Sequence, residues 1–337
     1  MSEIGSSDAI KKILVTGGAG FIGSHYVRTL LSGGFPEFNP ERVTVLDKLT
    51  YAGNIANLQP VLANPVLDFV QGDICNAALL SSLVPGHDAV VNFAAETHVD
   101  NSIMDPSVFV TTNVLGVQTL LQACLDGSVR RVVHVSTDEV YGSVATGVAP
   151  EGAVLAPNSP YTASKASGDH LARAYSMTYG LCVCITRCCN NYGPYQFPEK
   201  IIPLSIANLL DGAPICLYGD GLHRRTWLHV DDHCRAIQLV LMRGGSGRVY
   251  NVGGDSELSN IQLARILIEL CHAPSNMIRW IRDRPGHDRR YSLDDSVLRR
   301  MGYAPRISFA DGLKATVDWY KDNRLWWEPL KQRYPSF

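Results

Sequence analysis

The sequence predicts an α/β protein: a Rossmann-type, doubly wound parallel sheet with a smaller mixed α/β lobe at its C-terminal end. Three observations lead there. Short apolar runs alternate with helical stretches through the first half of the chain. The first run ends in a glycine-rich turn and the second in an acid. After about Asn190 the rhythm loosens into shorter elements and longer loops. Near-continuous apolar strands alternating with helices belong to parallel sheets covered on both faces.

The elements follow in order. Ile13 to Val15 is a strand that stops at Gly17-Gly18, and a helix continues to about Leu31. Val43 to Leu46 is the second strand and ends at Asp47. Leu67 to Val70 is a third, ending near Gly72-Asp73, and Ala89 to Ala95 a fourth. A long helix is expected over about Pro106 to Leu125. Arg131 to Val135 is a fifth strand, ending at Ser136-Thr137. A helix is expected from about Pro160 to Tyr179 and a sixth strand from Cys182 to Thr186. Beyond them lie loops such as Asn191 to Pro198 and Asp283 to His287. No Pro-, Gly- or Ser-rich linker divides the chain, so its two parts are expected to share a core. Internal repeats and low-complexity segments are absent from the sequence.

Composition narrows the partner. A chain of 337 residues can bury most of its apolar surface without staples. With 46% hydrophobic and 18% charged residues it is not a largely disordered chain. A net charge of −2 gives no electrostatic case for nucleic acid or a membrane surface. A small molecule or another protein is the expected partner. The nine cysteines form no Cys-x-x-Cys pair, so they read as reduced, buried thiols and no metal site is expected. Met1 to Ile10 has no apolar core of a signal peptide. No apolar run approaches the roughly 18 residues that span a bilayer. A soluble, cytoplasmic protein is expected.

Gly18-x-Gly20-x-x-Gly23, overlapping Gly17-x-x-Gly20-x-x-Gly23, follows a strand and opens a helix. Glycines allow the tight turn and the close approach of a pyrophosphate, which the helix N-terminus attracts. Asp47 lies 24 residues beyond Gly23. A carboxylate there accepts hydrogen bonds from a ribose diol and repels a 2′-phosphate, which favours NAD over NADP. Asp73-Ile74 and Ala94-Ala95 fall at strand ends that border the same crevice.

Tyr161 and Lys165 stand four apart on an expected helix and share a face. A nearby ammonium stabilises phenolate, so such a tyrosine can take a proton from an alcohol during its oxidation. Asp138-Glu139 follows Thr137 at the end of the fifth strand. Two carboxylates can divide acid and base roles if their environments separate them. Read alone, the same residues also describe a solvated acidic loop or a helix N-cap set.

Together these residues resemble the dTDP-glucose 4,6-dehydratases, within the extended short-chain dehydrogenase/reductases. The matching segments are Thr16 to Gly23, Asp47 to Asn54, Ala94 to Asp100, Ser136 to Gly142, Tyr161-x-x-x-Lys165, Arg187 to Lys200 and Asp283 to His287. The glycine motif and Tyr-x-x-x-Lys mark the superfamily, and Thr137-Asp138-Glu139 is the more specific signal. The resemblance implies a lyase that turns dTDP-glucose into dTDP-4-keto-6-deoxy-glucose and water. Oxidation at carbon 4 by NAD would be followed by elimination across carbons 5 and 6 and hydride return to carbon 6. NAD would stay bound and be regenerated each turnover. Tyr161, helped by Lys165 and Thr137, would deprotonate the carbon-4 hydroxyl. Glu139 would take the carbon-5 proton and Asp138 would protonate the departing carbon-6 hydroxyl.

By the same resemblance NAD would be held by Gly17, Gly20, Phe21, Ile22, Gly23, Asp47, Lys48, Leu49, Thr50, Asp73, Ile74, Ala94, Ala95, Thr112, Tyr161, Lys165 and Asn191. The sugar nucleotide would be held by Thr97, Thr137, Asn190, Lys200, Ile201, Tyr218, Arg225, Asn260, Arg284 and His287. Residues 11–190 would form the NAD-binding Rossmann domain with the catalytic groups, and 191–330 mainly the substrate lobe. A homodimer paired through the helices Pro106–Leu125 and Pro160–Tyr179 is implied. Three positions depart from the family. Thr226 stands where aspartate is usual, which puts a partner for Arg225 in doubt; Asn101 replaces an arginine; Thr97, on a helix expected over Ala94 to Asp100, replaces a serine. An NAD-dependent nucleotide-sugar 4-epimerase and a non-catalytic NAD sensor are the rival readings. The acid pair argues against the first, and the full set of reactive groups against the second.

Overall fold

The computed structural model of the chain describes residues 10–333, so the N-terminal segment judged above for a signal peptide lies outside them apart from Ile10. Strand β1 (Lys12–Thr16) turns through the glycines into helix α1 (Phe21–Leu31). β2 (Arg42–Asp47), β3 (Leu67–Gln71), α2 (Ala77–Leu83) and β4 (Ala89–Asn92) follow. Three helical pieces come next: α3 (Val99–Met104), α4 (Pro106–Val110) and α5 (Val117–Asp126), with a π-helical turn over Thr111–Gly116 between the last two. Then come β5 (Arg131–Thr137), α6 (Pro160–Tyr179), β6 (Val183–Cys188) and the short β7 (Asn190–Tyr192). The remainder is α7 (Ile201–Leu210), β8 (Ile215–Tyr218), β9 (Arg224–His229), α8 (Val230–Arg243), β10 (Val249–Val252), β11 (Ser256–Ser259), α9 (Asn260–Leu270), β12 (Ile278–Ile281), α10 (Ser296–Arg300), α11 (Phe309–Asp322) and α12 (Arg324–Arg333).

Seven strands form one parallel sheet in the order β10-β6-β5-β4-β1-β2-β3. The chain runs outward from β1 in one direction and from β4 in the other, so their C-terminal ends flank a crevice, the usual ligand position in such a sheet. Alternate strand residues feed opposite layers. Ile13 and Val15 pack with α1 and α8; Leu14 packs with α2, α5 and α6. The first layer also takes Ile237, Val240, Leu241 and Val252 from the second half of the chain. Small sheets β11-β9-β7 and β12-β8 build the lobe over the crevice. Its core includes Ile202, Leu217, Trp227, Leu263, Leu313 and Trp327.

Several boundaries differ from the sequence reading. The fourth strand stops at Asn92 rather than Ala95. Residues 93–98 are irregular, and the helix placed over Ala94 to Asp100 starts only at Val99, where the His98 ring accepts the Asn101 N–H. The sixth strand is shifted to Val183–Cys188. Asn191, placed in a loop, lies in β7. The expected long helix is interrupted by the π turn. That helix, Pro106–Asp126, is also the one among the described residues with the length and apolar composition to cross a bilayer. One side packs on α6 and the sheet and buries Phe109, Val117, Leu120, Leu121 and Cys124. Val108, Val110 and Leu115 remain exposed on the other.

Candidate active site

The glycine turn is shaped so that side chains cannot enter it. Gly17 has φ +69°, and a Cβ there would lie 2.6 Å from the Ala94 nitrogen. A Cβ on Gly23 would lie 2.3 Å from the Gly17 carbonyl oxygen. Helix α1 begins at Gly20 with no side-chain cap, so its first N–H groups remain available to an anion. Asp47 closes the end of β2 and accepts the N–H groups of Ala19 at 2.9 Å and Leu49 at 2.8 Å. Burial raises its pKa, and those donors oppose the shift. A pyrophosphate at the helix end and a ribose beside Asp47 fit this cradle, as NAD requires. Lys48 pairs with Asp73 at 2.8 Å on the same wall.

The reactive groups come from two adjoining elements. Thr137 ends β5, and its hydroxyl accepts the Glu139 N–H at 3.3 Å. That cap starts a 3₁₀ turn over Asp138–Tyr141. The N-cap alternative is therefore correct as local structure, and the turn brings both acids to the same cavity, which a continued strand would not. The solvated-loop alternative is not: Asp138 is 2% exposed, and its Oδ2 has no hydrogen-bond partner among the described residues. Burial first, then the charges of Glu139 and Cys188, hold Asp138 well above the usual carboxylate range, while Arg225 pulls the other way. Helix α6 opens with a Ser159/Thr162 capping box, which sets the helix phase for Tyr161 and Lys165. Lys165 Nζ donates to the Val135 carbonyl at 2.8 Å. Burial lowers its pKa to about 8, against the pull of Asp169. The Tyr161 hydroxyl is pushed well above its ordinary pKa by burial and by Glu139, and its hydrogen bond with Thr137 moderates this.

At the far end lie cations. Arg225 donates to the carbonyls of Arg224 at 2.7 Å and Asp288 at 3.0 Å, and lies 4.2 Å above the Tyr291 ring. These contacts fix the guanidinium without a carboxylate at 226. Thr226 pairs opposite Glu257 across β9 and β11, and neighbouring strand residues face opposite ways. Thr226 borders a separate cavity of about 200 Å³ with Asp255, Glu257 and Asp295. Asn101 stands on the main cavity wall, where Arg284 lies 3.6 Å from Asp100. Lys200 donates to the Thr97 carbonyl at 2.7 Å.

One cavity of about 710 Å³ joins these parts. Every site residue named from the sequence lines it except Leu49. Leu49 instead holds a left-handed backbone (φ 55°) that turns its N–H onto Asp47. Buried polar atoms of Asn190, Asp138, His233 and Arg284 along the walls have no hydrogen-bond partner among the described residues, which marks a cavity built for a polar ligand. The sequence reading missed Glu96, His98, Cys188, Glu199, His233 and Tyr291, which also line it. Glu199 was findable as the neighbour of Lys200. His233 sits on α8, and no local pattern marks it. The π turn supports this wall. Asn113 accepts the Glu96 N–H at 2.9 Å and donates to the Glu96 carbonyl and to Ser164 on α6.

Comparison with known proteins agrees with this geometry. The family described as GDP-mannose 4,6 dehydratase matches residues 14–316. The chain is 56% identical to a dTDP-glucose 4,6-dehydratase of Streptomyces niveus over 95% of its own length and 96% of the relative's. It superposes on the crystal structure of a dTDP-glucose 4,6-dehydratase from Streptomyces venezuelae with NAD bound at a TM-score of 0.94. The identity is 60%, covering 95% of this chain and 100% of that one. A UDP-glucuronic acid 4-epimerase from Bacillus cereus, in complex with NAD, is more distant: 30% identity and a TM-score of 0.86 over 92% of this chain and 99% of that one.

Proposed function

The chain belongs to the dTDP-glucose 4,6-dehydratases of the extended short-chain dehydrogenase/reductases, and from that membership we propose how its residues divide the work. The enzyme is a lyase that converts dTDP-glucose to dTDP-4-keto-6-deoxy-glucose and water with NAD as cofactor. The carrying observation is the placement of Asp138 and Glu139 on one 3₁₀ turn in the cavity that also holds Tyr161 and Lys165. An epimerase needs acid–base chemistry at carbon 4 only. Elimination adds a carbon acid and a poor leaving group, and the two carboxyl groups meet those needs.

Tyr161, bonded to Thr137 and one helical turn before Lys165 on α6, takes the proton of the carbon-4 hydroxyl; burial and Glu139 hold its pKa up in the chain alone, and the positive charge of the bound nicotinamide would favour the phenolate. The chemistry supplied by bound NAD is reversible two-electron redox, which sums to zero over a turnover. The carbon-4 ketone acidifies carbon 5, and Glu139 takes that proton. Asp138, kept protonated by burial, gives its proton to the carbon-6 hydroxyl, which leaves as water. The glycine cradle, Asp47, Lys48 and Asp73 hold the cofactor tightly enough to keep it between turnovers. Arg225, Arg284, Lys200, Asn190, Tyr218, Asn260 and His287 hold the nucleotide diphosphate and sugar. Residues 11–190 carry most of the cofactor and acid–base groups, and 191–330 most of the nucleotide-sugar contacts.

The chain acts as a homodimer in the cytoplasm on this reading. The exposed Val108, Val110 and Leu115, with Met177 and Tyr179 on α6, supply an apolar face for a second copy. The nine cysteines, five of them buried, suit a reducing compartment. The test is incubation of the purified protein with dTDP-glucose and no added NAD, with mass spectrometry of the product. Loss of water supports both the reaction and the retained cofactor. Unchanged mass, with or without added NAD, overturns the reading.

A further inference from the structure

Behind the nucleotide end of the cavity, His223, Asp283 and His287 form a compact group. The two imidazoles are stacked, with centroids 3.6 Å apart and planes 14° from parallel. His287 Nδ1 lies 2.7 Å from Asp283 Oδ1, and His223 Nε2 lies 3.4 Å from Asp283 Oδ2. A carboxylate only accepts, so the nitrogens facing it carry the hydrogens. In a neutral His287 this leaves Nε2 as a bare acceptor. His287 lines the cavity, and His223 and Asp283 stand behind it. His223 is 3% exposed and serves as a floor for the ring.

A bare acceptor is the wrong group to meet a diphosphate oxygen. The other tautomer would aim its lone pair at Asp283. Only an imidazolium satisfies both neighbours at once, donating through Nδ1 to Asp283 and through Nε2 to the ligand. We propose that His287 takes up a proton when the sugar nucleotide binds, and that Asp283 and His223 are positioning residues that aim this imidazolium at the diphosphate. The proposal rests on the substrate reading above and deepens it.

The charges around the ring explain why uptake waits for the ligand. Burial, then Arg284 on its own loop, hold His287 down to about 3; Asp283 pulls upward, and His223 and Arg225 push down. From β8, Tyr218 sets its ring edge-on to His287 at 5.8 Å and bonds to Asp100 of α3, which also faces Arg284. Asp220 is held by Arg289 at 2.7 and 2.9 Å, and Asp288 by Asn158 and Tyr291. A diphosphate neutralises Arg225 and Arg284 and adds attraction of its own, so both changes favour the proton. Three ligand-type groups this close also describe a cation site. Imidazole binds a metal in its ring plane at about 2.0–2.1 Å, and two nearly parallel planes so close together do not converge on such a point.

The test uses the NAD-loaded Tyr161→Phe enzyme, which cannot start turnover, and dTDP-glucose, whose diester diphosphate has no proton to exchange near neutral pH. Binding heats are measured at pH 7.5 and at pH 6, each in two buffers of different ionisation enthalpy. The expected result is proton uptake on binding that grows as the pH is lowered from 7.5 to 6, and affinity that weakens as pH rises, with uptake abolished in Tyr161→Phe/His287→Gln. In Tyr161→Phe/Asp283→Asn uptake falls and affinity drops about tenfold. Binding with buffer-independent heat in the parent needs no further variant and overturns the proposal: Nε2 then accepts from a ligand hydroxyl. Uptake that survives His287→Gln also overturns it. Absence of any binding overturns the substrate reading itself.

Discussion

Lys165 donates its ammonium to the carbonyl oxygen of Val135, 2.8 Å away. This one bond ties the helix of Tyr161 to the strand end that delivers Thr137, Asp138 and Glu139. The lysine thus sets the spacing between the helix that carries Tyr161 and the turn that carries both acids.

Its charge predicts a pH response. With the Lys165 pKa lowered to about 8, activity is expected to fall as pH rises through that value, and Lys165→Arg moves the fall to higher pH. Stability runs the other way. Between about 8 and the unperturbed 10.5 the unfolded chain holds the proton that the folded chain has lost, so the group's contribution to stability rises with pH. Lys165→Met removes that rise. Rate profiles and urea titrations at several pH values check both halves, and an alkaline limb unmoved by Lys165→Arg refutes the assignment.

Asp138 carries the opposite sign. Its folded pKa is raised, so from the ordinary value of 3.8 upward the folded chain keeps a proton the unfolded chain releases, and stability falls with pH across that window. Asp138→Asn removes this slope and is at least as stable as the parent at pH 8. In heavy water the variant still exchanges deuterium into carbon 5 of recovered substrate, while water loss slows roughly 10²–10⁴-fold. Exchange that stops together with water loss would show that the two acids do not divide the steps.

Glu139→Gln gives the complementary pattern: neither deuterium at carbon 5 nor water loss, with dTDP-glucose binding retained within a few-fold. Nuclear magnetic resonance of the recovered sugar reads this directly, and persistent carbon-5 exchange moves the base elsewhere in the cavity.

Asp47→Ala removes the acceptor of two backbone N–H groups as well as the ribose contact. Leaving those donors unpaired costs about 1–3 kcal/mol of stability before any ligand is added. NAD affinity falls in addition, by tenfold or more. Denaturation of the cofactor-free protein separates the two losses, and unchanged stability there would deny Asp47 its structural part.

Thr226→Asp restores the residue usual in the family. It sets a carboxylate directly opposite Glu257 and beside Asp255 and Asp295, and like charges opposite one another in a sheet are costly. A loss of about 0.2–1 kcal/mol with KM unchanged is expected, because Arg225 is held by backbone carbonyls and Tyr291. A lowered KM would restore the role of position 226 as an aid to Arg225.

The sequence makes the first half of the chain legible because its signals are local. Gly17 to Gly23 after β1, Asp47 after β2 and Tyr161 four before Lys165 each declare themselves within a few residues. The wall contributed by His233 was invisible, because a histidine on an amphipathic helix looks the same whether it faces core or cofactor. Boundaries failed where side chains override periodicity: the His98 cap delays α3, and Asn113 in the π turn is drawn to the Glu96 loop. The doubt over Thr226 arose because Arg225 is adjacent in sequence, whereas alternate facing along β9 separates the two in space. A count of uninterrupted apolar residues passes over Pro106–Asp126, because that helix reaches its hydropathy with polar residues interspersed.

The order of the seven-stranded sheet has a consequence for synthesis. Its last strand, β10, pairs with β6 only after some sixty further residues have been made. Until Val252 leaves the ribosome, the emerging domain presents the open edge of Val183–Cys188, apolar and rich in β-branched residues. The apolar side of the sheet that α8 will cover is bare for the same interval. The chain therefore passes through a sticky stage set by translation speed, and overproduction should lose less protein to inclusion bodies when growth is slowed, with soluble yield tracking elongation rate more closely than NAD supply.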